Sequence, residues 1–105
     1  MADLETKKLF ENEKVAVWER TLDPGASTGT HTHSHDYVYH VVEGSTLEVS
    51  ANDGKAFRLD AQAGSTVYVG IDGDQIVAGD IRAPATHEAK NIGDTRYREI
   101  LVEFK

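Results

Sequence analysis

Apolar and polar residues alternate in several short runs along the chain, and turn residues separate these runs. Leu47 and Val49 alternate with polar neighbours, and Phe57 and Leu59 repeat the pattern a few residues later. Because successive side chains of a strand point to opposite faces, a period of two predicts strands with one face inward and one in water. Further strands are predicted at 15–19, 67–69 and 99–104.

Turn signals that contain glycine recur between these runs. Glycine tolerates a positive φ, and Asp, Asn and Pro favour tight turns, so short strands joined by close turns are expected. Asn52-Asp53-Gly54 predicts a hairpin that places the strand at 47–50 beside the strand at 56–59. Helical signal is confined to residues 3–13, with Asp3 as a candidate cap, and a β-arm fits this segment equally well. The pattern favours an all-β antiparallel sandwich or barrel.

The composition narrows the functional classes. The chain has 105 residues, enough for a single domain over 1–105, and its 18 acidic and 11 basic residues give a net charge of −7. An acidic balance disfavours nucleic-acid binding, and no apolar run approaches the roughly 20 residues that cross a bilayer. The N-terminal residues lack the apolar region of a secretory signal, and without cysteine the chain has no disulfide framework. We therefore expect a soluble cytoplasmic protein that binds neither nucleic acid nor membrane.

Three of the five histidines stand in one short segment, at His31, His33 and His35. On a strand, residues i and i+2 face the same side about 6.6 Å apart, so two imidazoles can converge on one metal ion with bonds of about 2.1 Å. His31 and His33 are therefore a candidate chelating pair. On a continued strand His35 would lie about 13 Å from His31, so we place it in the turn to the next strand, at the mouth of the site. A solvated loop or a pH-sensitive patch would account for the same cluster.

A metal site needs a further ligand from elsewhere in the chain, and His87 is the candidate. It begins an alternating segment in which His87, Ala89 and Asn91 share a face, and small and polar residues on one face suit a cavity. His40 has the opposite parity to the two tyrosines that precede it. We therefore assign His40 a structural position, at the surface or between sheets.

The spacing of these residues resembles the first motif of the cupin superfamily. That motif reads Gly, five residues, His-x-His, three or four residues, Glu, six residues, Gly. Here Gly25, His31, His33 and Gly44 stand at the matching positions, and Tyr37 occupies the position of the glutamate. Every spacing fits, so the resemblance rests mainly on this segment.

The second cupin motif is matched by Pro84, His87 and Asn91, with the proline closer to the histidine than is usual. Gly64 best matches the glycine that opens this motif, which implies extra residues around 70–79 between the motifs. The resemblance spans residues 15–104 and implies an RmlC-like jelly roll, a double-stranded β-helix of two facing antiparallel sheets. It also implies a metal ion inside the barrel, held by His31, His33 and His87.

Tyr37 changes what the resemblance implies about chemistry. A neutral phenol is a poor metal ligand, so three imidazoles would leave more positions open to water, substrate or dioxygen. Three-histidine sites occur among thiol dioxygenases and related cupins, which this site resembles in ligand set only. Tyr37 would then contact substrate, or Asp36 or His35 would supply a fourth ligand. Chemistry of the oxalate type, which relies on the glutamate, is not expected.

Two functions remain open at this point. The first is a metal-dependent enzyme, of the dioxygenase or isomerase kind, in which Tyr37 or His35 serves as acid–base group or substrate contact. Tyr37, Tyr39 and Val41 would line its small-molecule pocket. The second is a non-catalytic barrel that binds or senses a small ligand, with a structural metal or none. An imidazole site suits Fe, Ni, Zn, Mn, Co or Cu, and we expect a homodimer, with residues 1–14 as an exchanged arm.

Overall fold

In a computed structural model, which describes residues 4–51 and 53–105, the chain is built from short strands. These residues contain no helix, and none long and apolar enough to cross a membrane is found among them. The strands are β1 (Leu4–Glu11), β2 (Val15–Leu22), β3 (His31–Thr32), β4 (Tyr37–Glu43), β5 (Ser45–Ser50), β6 (Ala56–Ala61), β7 (Thr66–Asp72), β8 (Gln75–Ala78), β9 (Ile81–Pro84), β10 (Thr86–Asn91) and β11 (Tyr97–Phe104).

The strands form two antiparallel sheets that face each other around a common interior. The larger sheet has the order β1-β2-β11-β4-β7-β8-β9, and the smaller has the order β3-β10-β5-β6. Sequence neighbours such as β4 and β5 lie in different sheets, so the chain crosses repeatedly between them. The all-β antiparallel architecture predicted from the alternation is confirmed, and so is the jelly roll that the motif resemblance implied.

The hairpin predicted on either side of the Asn-Asp-Gly turn is present as β5 and β6. Leu47 pairs with Leu59 and Ser50 with Ala56, so the apolar residues of both strands share the inward face. Asn52 of the predicted turn lies outside the described residues.

The helical alternative for residues 3–13 is wrong from residue 4 onward. Strand β1 pairs along β2 from Leu4↔Leu22 to Glu11↔Ala16, so backbone hydrogen bonds to a neighbouring strand decide its conformation. Asp3, the candidate helix cap, lies outside the described residues. The β-arm alternative is the one that the structure shows.

One end of the barrel is filled by an apolar core. Toward the other end lies a cavity, and a second buried cluster of Tyr37, Val69 and Leu101 forms part of its wall. The core consists of Leu22, Ala26, Val41, Leu47, Ala61 and Tyr97. Gly44 makes this closure possible, because a Cβ at this position would lie 2.5 Å from the carbonyl oxygen of Ala61. Because this end is closely packed, the remaining space inside the barrel lies at the level of the histidines.

Strand β11 alternates as predicted, but its more apolar parity, which holds Ile100, Val102 and Phe104, faces away from the barrel interior. Tyr97, Glu99 and Leu101 are the buried residues, whereas Ile100 and Val102 are half-buried on the other face. A wall that faces a cavity can accept a carboxyl group, which an apolar core would not. The extra residues between the two motifs form the β7–β8 hairpin, in which Gly70 pairs with Val77.

Candidate metal centre

Strand pairing brings the two histidine segments together. Strand β10 runs antiparallel to β3 with His87 directly opposite His31. His33 follows β3, where its backbone N–H donates to the carbonyl of Ala85 at 3.0 Å. Residues from positions 54 apart in the sequence, such as Thr32 and Thr86, thus become immediate neighbours.

The three imidazoles converge on one point. The Nε2 atoms of His31 and His33 are 3.0 Å apart, and the ligand atoms of His31, His33 and His87 all lie within 4.8 Å of one another. Two nitrogens bound to one ion at about 2.1 Å and at right angles would be about 3.0 Å apart. The donor set and its spacing therefore fit a divalent transition metal.

Backbone carbonyls determine which nitrogens are free to bind a metal. The Nδ1–H of His31 donates to the carbonyl of Gly29 at 3.0 Å, and that of His87 donates to the carbonyl of Pro84 at 2.8 Å. A carbonyl only accepts, so in both rings the proton resides on Nδ1 and Nε2 keeps its lone pair. Because the Nε2 of His31 is bare, either a proton on His33 or a cation has to lie between the two facing nitrogens.

The surroundings keep the rings of His31 and His33 neutral. Burial, followed by the neighbouring histidines and Arg20, lowers the pKa of the His33 imidazole to about 3. Burial likewise lowers the pKa of His31, although its hydrogen bond to the Gly29 carbonyl acts in the opposite direction. A neutral imidazole has a lone pair that can bind a metal ion, so neutral His31 and His33 are in the form that can bind a cation.

Tyr37 lies beside the cluster rather than within it. Its ring stacks on that of His33, with centroids 4.4 Å apart and an angle of 26° between the planes. Burial raises the pKa of the Tyr37 phenol well above its usual range, and the negative charge of Glu99 adds to this. The phenol is therefore neutral and suited to donating a hydrogen bond. The candidate metal-binding group formed by described residues contains three histidines and no carboxylate.

A cavity of about 200 Å³ adjoins the histidines. Both sheets contribute to its wall, which is mostly apolar and aromatic. The lining residues are Arg20, His31, His33, Tyr37, Tyr39, Leu47, Val49, Phe57, Leu59, Val67, Val69, Ile76, Ala78, Ile81, His87, Ala89, Tyr97, Glu99 and Leu101. A shallower depression of about 240 Å³ lies next to it and shares Arg20, His31, His33 and Leu101.

The structure separates the sequence-predicted pocket residues into two groups. Tyr37 and Tyr39 line the cavity, as expected. Val41 does not: it is 1% exposed and packs in the apolar core with Leu22 and Leu47. Alternation predicted its face correctly, but Val41 lies further along β4, at the level where the two sheets close.

The turn residues after the histidine pair do not line the cavity. His35 is exposed in the bend between β3 and β4, as predicted, but it is not part of the cavity wall. Asp36 accepts hydrogen bonds from the Tyr68 hydroxyl at 2.6 Å and from the backbone N–H of Ile71 at 2.8 Å. The structure therefore offers neither side chain as a fourth ligand.

His40 and Asn91 have structural roles. His40 is exposed and shares a hydrogen bond with the Thr66 hydroxyl at 2.7 Å, which is the surface position expected for it. Asn91 is fully buried and makes four side-chain hydrogen bonds. Two of these reach Leu22 and Thr95, so Asn91 ties β10 to the segments that flank it.

Two polar residues of the cavity wall were missed by sequence reasoning. Glu99 is 7% exposed and accepts a hydrogen bond from the Tyr97 hydroxyl at 2.6 Å. Arg20 stands directly opposite Glu99 across the β2–β11 pair. Burial raises the pKa of Glu99, although Arg20 acts in the opposite direction. The signal that could have found Glu99 is its parity, which it shares with Tyr97 and Leu101.

No protein-family model matches the chain, and no curated protein matches it. Solved structures do match. A cupin domain from Bordetella pertussis Tohama I has a TM-score of 0.74 and 24% identity, over 97% of this chain and 93% of the other. An RmlC-like cupin family protein with a double-stranded β-helix fold, from Methanocaldococcus jannaschii, has a TM-score of 0.69 and 15% identity, over 97% and 80%.

A third match is a polyketide cyclase from Streptomyces resistomycificus, with a TM-score of 0.62 and 15% identity, over 94% of this chain and 63% of the other. At these identities the likeness establishes the fold. The fold implied by the motif spacing is thereby confirmed: the chain forms a small single barrel with the fold of these cupin structures.

Proposed function

We propose that this cupin-fold barrel binds one divalent transition metal through His31, His33 and His87 and is a metal-dependent enzyme acting on a small molecule. The observation that carries the proposal is the convergence of three imidazoles, with bare Nε2 atoms on His31 and His87, at the wall of a mostly apolar cavity. Supporting hydrogen bonds that orient metal ligands are typical of metal sites.

A bound metal would supply Lewis-acid polarisation or an oxygen-binding position, in line with a dioxygenase-like or isomerase-like reaction. Fe, Ni, Zn, Mn, Co and Cu are the candidates, and the histidine-only donor set favours the metals that prefer nitrogen over oxygen. The polyketide cyclase among the structural neighbours illustrates that this fold can host an enzyme, although function does not follow from fold.

The chain's own residues would orient the substrate and handle its protons. Tyr37 and Tyr39 place neutral phenols in the cavity wall, where they can donate hydrogen bonds to substrate oxygens. Glu99 is the only carboxyl group in the wall formed by the described residues, and it is a candidate proton donor or acceptor. The apolar walls exclude water from the bound molecule. Because His35 is exposed and outside this wall, we assign it no role in the reaction.

Metal content and affinity test the site. Chelator-stripped protein is titrated with each of the six metals, and metal per chain is measured by mass spectrometry and calorimetry. We expect one ion per chain in the wild type. His33→Ala should weaken binding by more than the roughly 10–100-fold that losing a supporting partner costs. His40→Ala, at the surface, is the matched control and should bind normally. Wild-type protein that binds no ion, or binds equally in both variants, would refute the site.

Oxygen uptake and product formation with a panel of small acids and thiols test the enzymatic part. Turnover by the loaded wild type that is lost in Tyr37→Phe, with metal content unchanged, would support it. Stoichiometric metal without turnover of any panel member would favour the alternative, a barrel that binds or senses a small ligand.

We further propose that the protein forms a homodimer through β1. This strand is at the edge of the larger sheet, and its Leu9 and Phe10 side chains are 45% and 55% exposed. An edge strand with apolar side chains can pair with the same strand of a second copy. Light scattering at micromolar concentration should show a dimer, and Phe10→Asp should shift it to monomer. A monomeric wild type would contradict this, and cell fractionation tests the predicted cytoplasmic location.

A further inference from the structure

Arg20 lies at the border between the cavity and the adjoining depression. It is half-buried on β2, and it lines both the cavity and the adjoining depression together with His31, His33 and Leu101. Its positive charge lowers the pKa of both histidines, so the guanidinium lies within electrostatic reach of the cluster. Any molecule that enters the cavity from this side passes the guanidinium.

Arg20 forms no ion pair with a carboxylate of the described residues. Arg58 forms none either, but it is exposed on β6 and lies outside the cavity wall. Arg82, Arg96 and Arg98 each form an ion pair with a carboxylate at 2.6–2.9 Å. Within the part of the chain that the structure describes, no carboxylate oxygen lies within 4.0 Å of Arg20, and no side-chain hydrogen bond involves it. This holds although Glu99 is its direct partner across the strand pair.

The acidic groups near Arg20 do not neutralise it. Burial raises the pKa of Glu99, which holds this carboxyl toward its neutral form, and one of its oxygens already accepts from Tyr97. Glu103 lines the outer depression but not the cavity. A half-buried guanidinium without a partner has lost part of its hydration and gains most from an anion that restores its hydrogen bonds.

The rest of the cavity limits the size and character of that anion. Its volume is about 200 Å³, and aliphatic and aromatic side chains form most of the wall. The planar guanidinium fork matches a carboxylate with two parallel hydrogen bonds. Next to three imidazoles, a cation held there would make this region still more positive, and an anionic ligand would offset that charge.

We propose that Arg20 recognises a carboxylate and that the ligands of this cavity are small organic acids with an apolar or aromatic body. The placement of the acid next to the metal rests on the proposed function, whereas the preference for an acid over its neutral analogue does not, because Arg20 is charged with or without a metal. Arg20 is thus a specificity-determining residue.

Matched pairs of probes test this inference on the full chain. Benzoate is compared with benzamide, and hexanoate with hexanamide, in chelator-stripped protein. Binding is followed by calorimetry and by the fluorescence of Trp18, the only tryptophan, which lines the outer depression with Arg20. We expect each acid to bind about tenfold or more tightly than its amide, the range for a hydrogen bond to a charged group.

Arg20→Gln should abolish that preference while leaving amide binding unchanged, and Arg20→Lys should retain part of it because the charge remains but the fork is lost. Arg82→Gln, which removes a surface arginine, is the control and should behave as wild type. Should Arg20→Gln not fold, Arg20→Met replaces it. Equal binding of acids and amides by wild type, no binding of either acid, or an undiminished preference in Arg20→Gln would overturn the inference.

Failure of the two proposals is distinguishable. Acid preference in stripped protein that never binds a metal would leave Arg20 as a carboxylate receptor and refute the metal centre. Stoichiometric metal binding with no acid preference would leave the metal centre and refute the role of Arg20.

Discussion

Acid should destabilise the metal-free barrel chiefly through His33. The pKa of His33 is lowered from 6.5 to about 3 in the folded state, because the ring is buried beside other imidazoles and Arg20. A folded-state pKa below the unfolded value stabilises the protein above pH 6.5, and this stabilisation is lost as the pH falls from 6.5 toward 3. Over that interval the unfolded chain holds a proton at this position and the folded chain does not.

The magnitude follows from the size of the shift. Each pH unit in that interval removes about 1.4 kcal/mol, so a fall to pH 4.5 removes about 3 kcal/mol through His33 alone. Small domains are stable by about 5–15 kcal/mol, so this loss is a large part of the total. His33→Asn eliminates the titrating group and should lose correspondingly less.

Urea unfolding at pH 7.5 and 4.5, in the presence of a chelator, measures the effect. The wild type and the surface control His40→Asn should lose about 3 kcal/mol more between these pH values than His33→Asn does. Carboxylates titrate equally in all three proteins, so their contribution cancels in the comparison. An identical loss in wild type and His33→Asn would refute the claim that burial keeps this ring neutral.

Three further substitutions test the rest of the structure. Glu99 has a raised folded-state pKa, so the free energy of unfolding falls as the pH rises above 4.5. In urea unfolding at pH 8, Glu99→Gln should therefore be more stable than wild type, by about 1.4 kcal/mol for each unit of the pKa shift. At pH 4 the same variant should show no gain. Asn91→Ala removes four hydrogen bonds, two of them fully buried, and should cost about 3 kcal/mol or more in the same assay. A loss below about 1 kcal/mol would contradict its structural role. Gly44→Ala brings a Cβ to 2.5 Å from the Ala61 carbonyl oxygen and should cost about 1–3 kcal/mol of unfolding free energy. Gly70→Ala, whose added Cβ has its nearest contact at 3.9 Å, is the control. Equal melting temperatures for these two variants would argue against the close approach at Gly44.

The site positions that the sequence predicts correctly are those that depend on residues close together in the chain. His31 and His33 are two apart, so strand geometry alone puts them on one face. His87 was found because the second motif could be aligned with this pair, and the register of β10 against β3 then placed it opposite His31. The parity of His40 left a position at the surface or between sheets, and the structure shows the surface position.

Glu99, Arg20 and Val41 show where such reasoning fails. Alternation on β11 identifies two faces but does not say which one is buried, and the more apolar parity turned out to be the outer one. For Val41 it gives the correct face but not the level along the barrel axis, which separates cavity from core. Arg20 and Glu99 are 79 residues apart and are joined only by the pairing of β2 with β11.

By itself, then, the chain's pattern of turns, alternation and histidine spacing determined an all-β antiparallel sandwich or barrel and the two candidate ligands nearest each other, because these depend on neighbours two residues apart. The tertiary structure alone decided which parity faces inward, how deep each side chain lies, and that a guanidinium and a carboxyl group share a cavity with three imidazoles. These properties depend on how distant strands pair and on where two sheets close, and no local pattern encodes either.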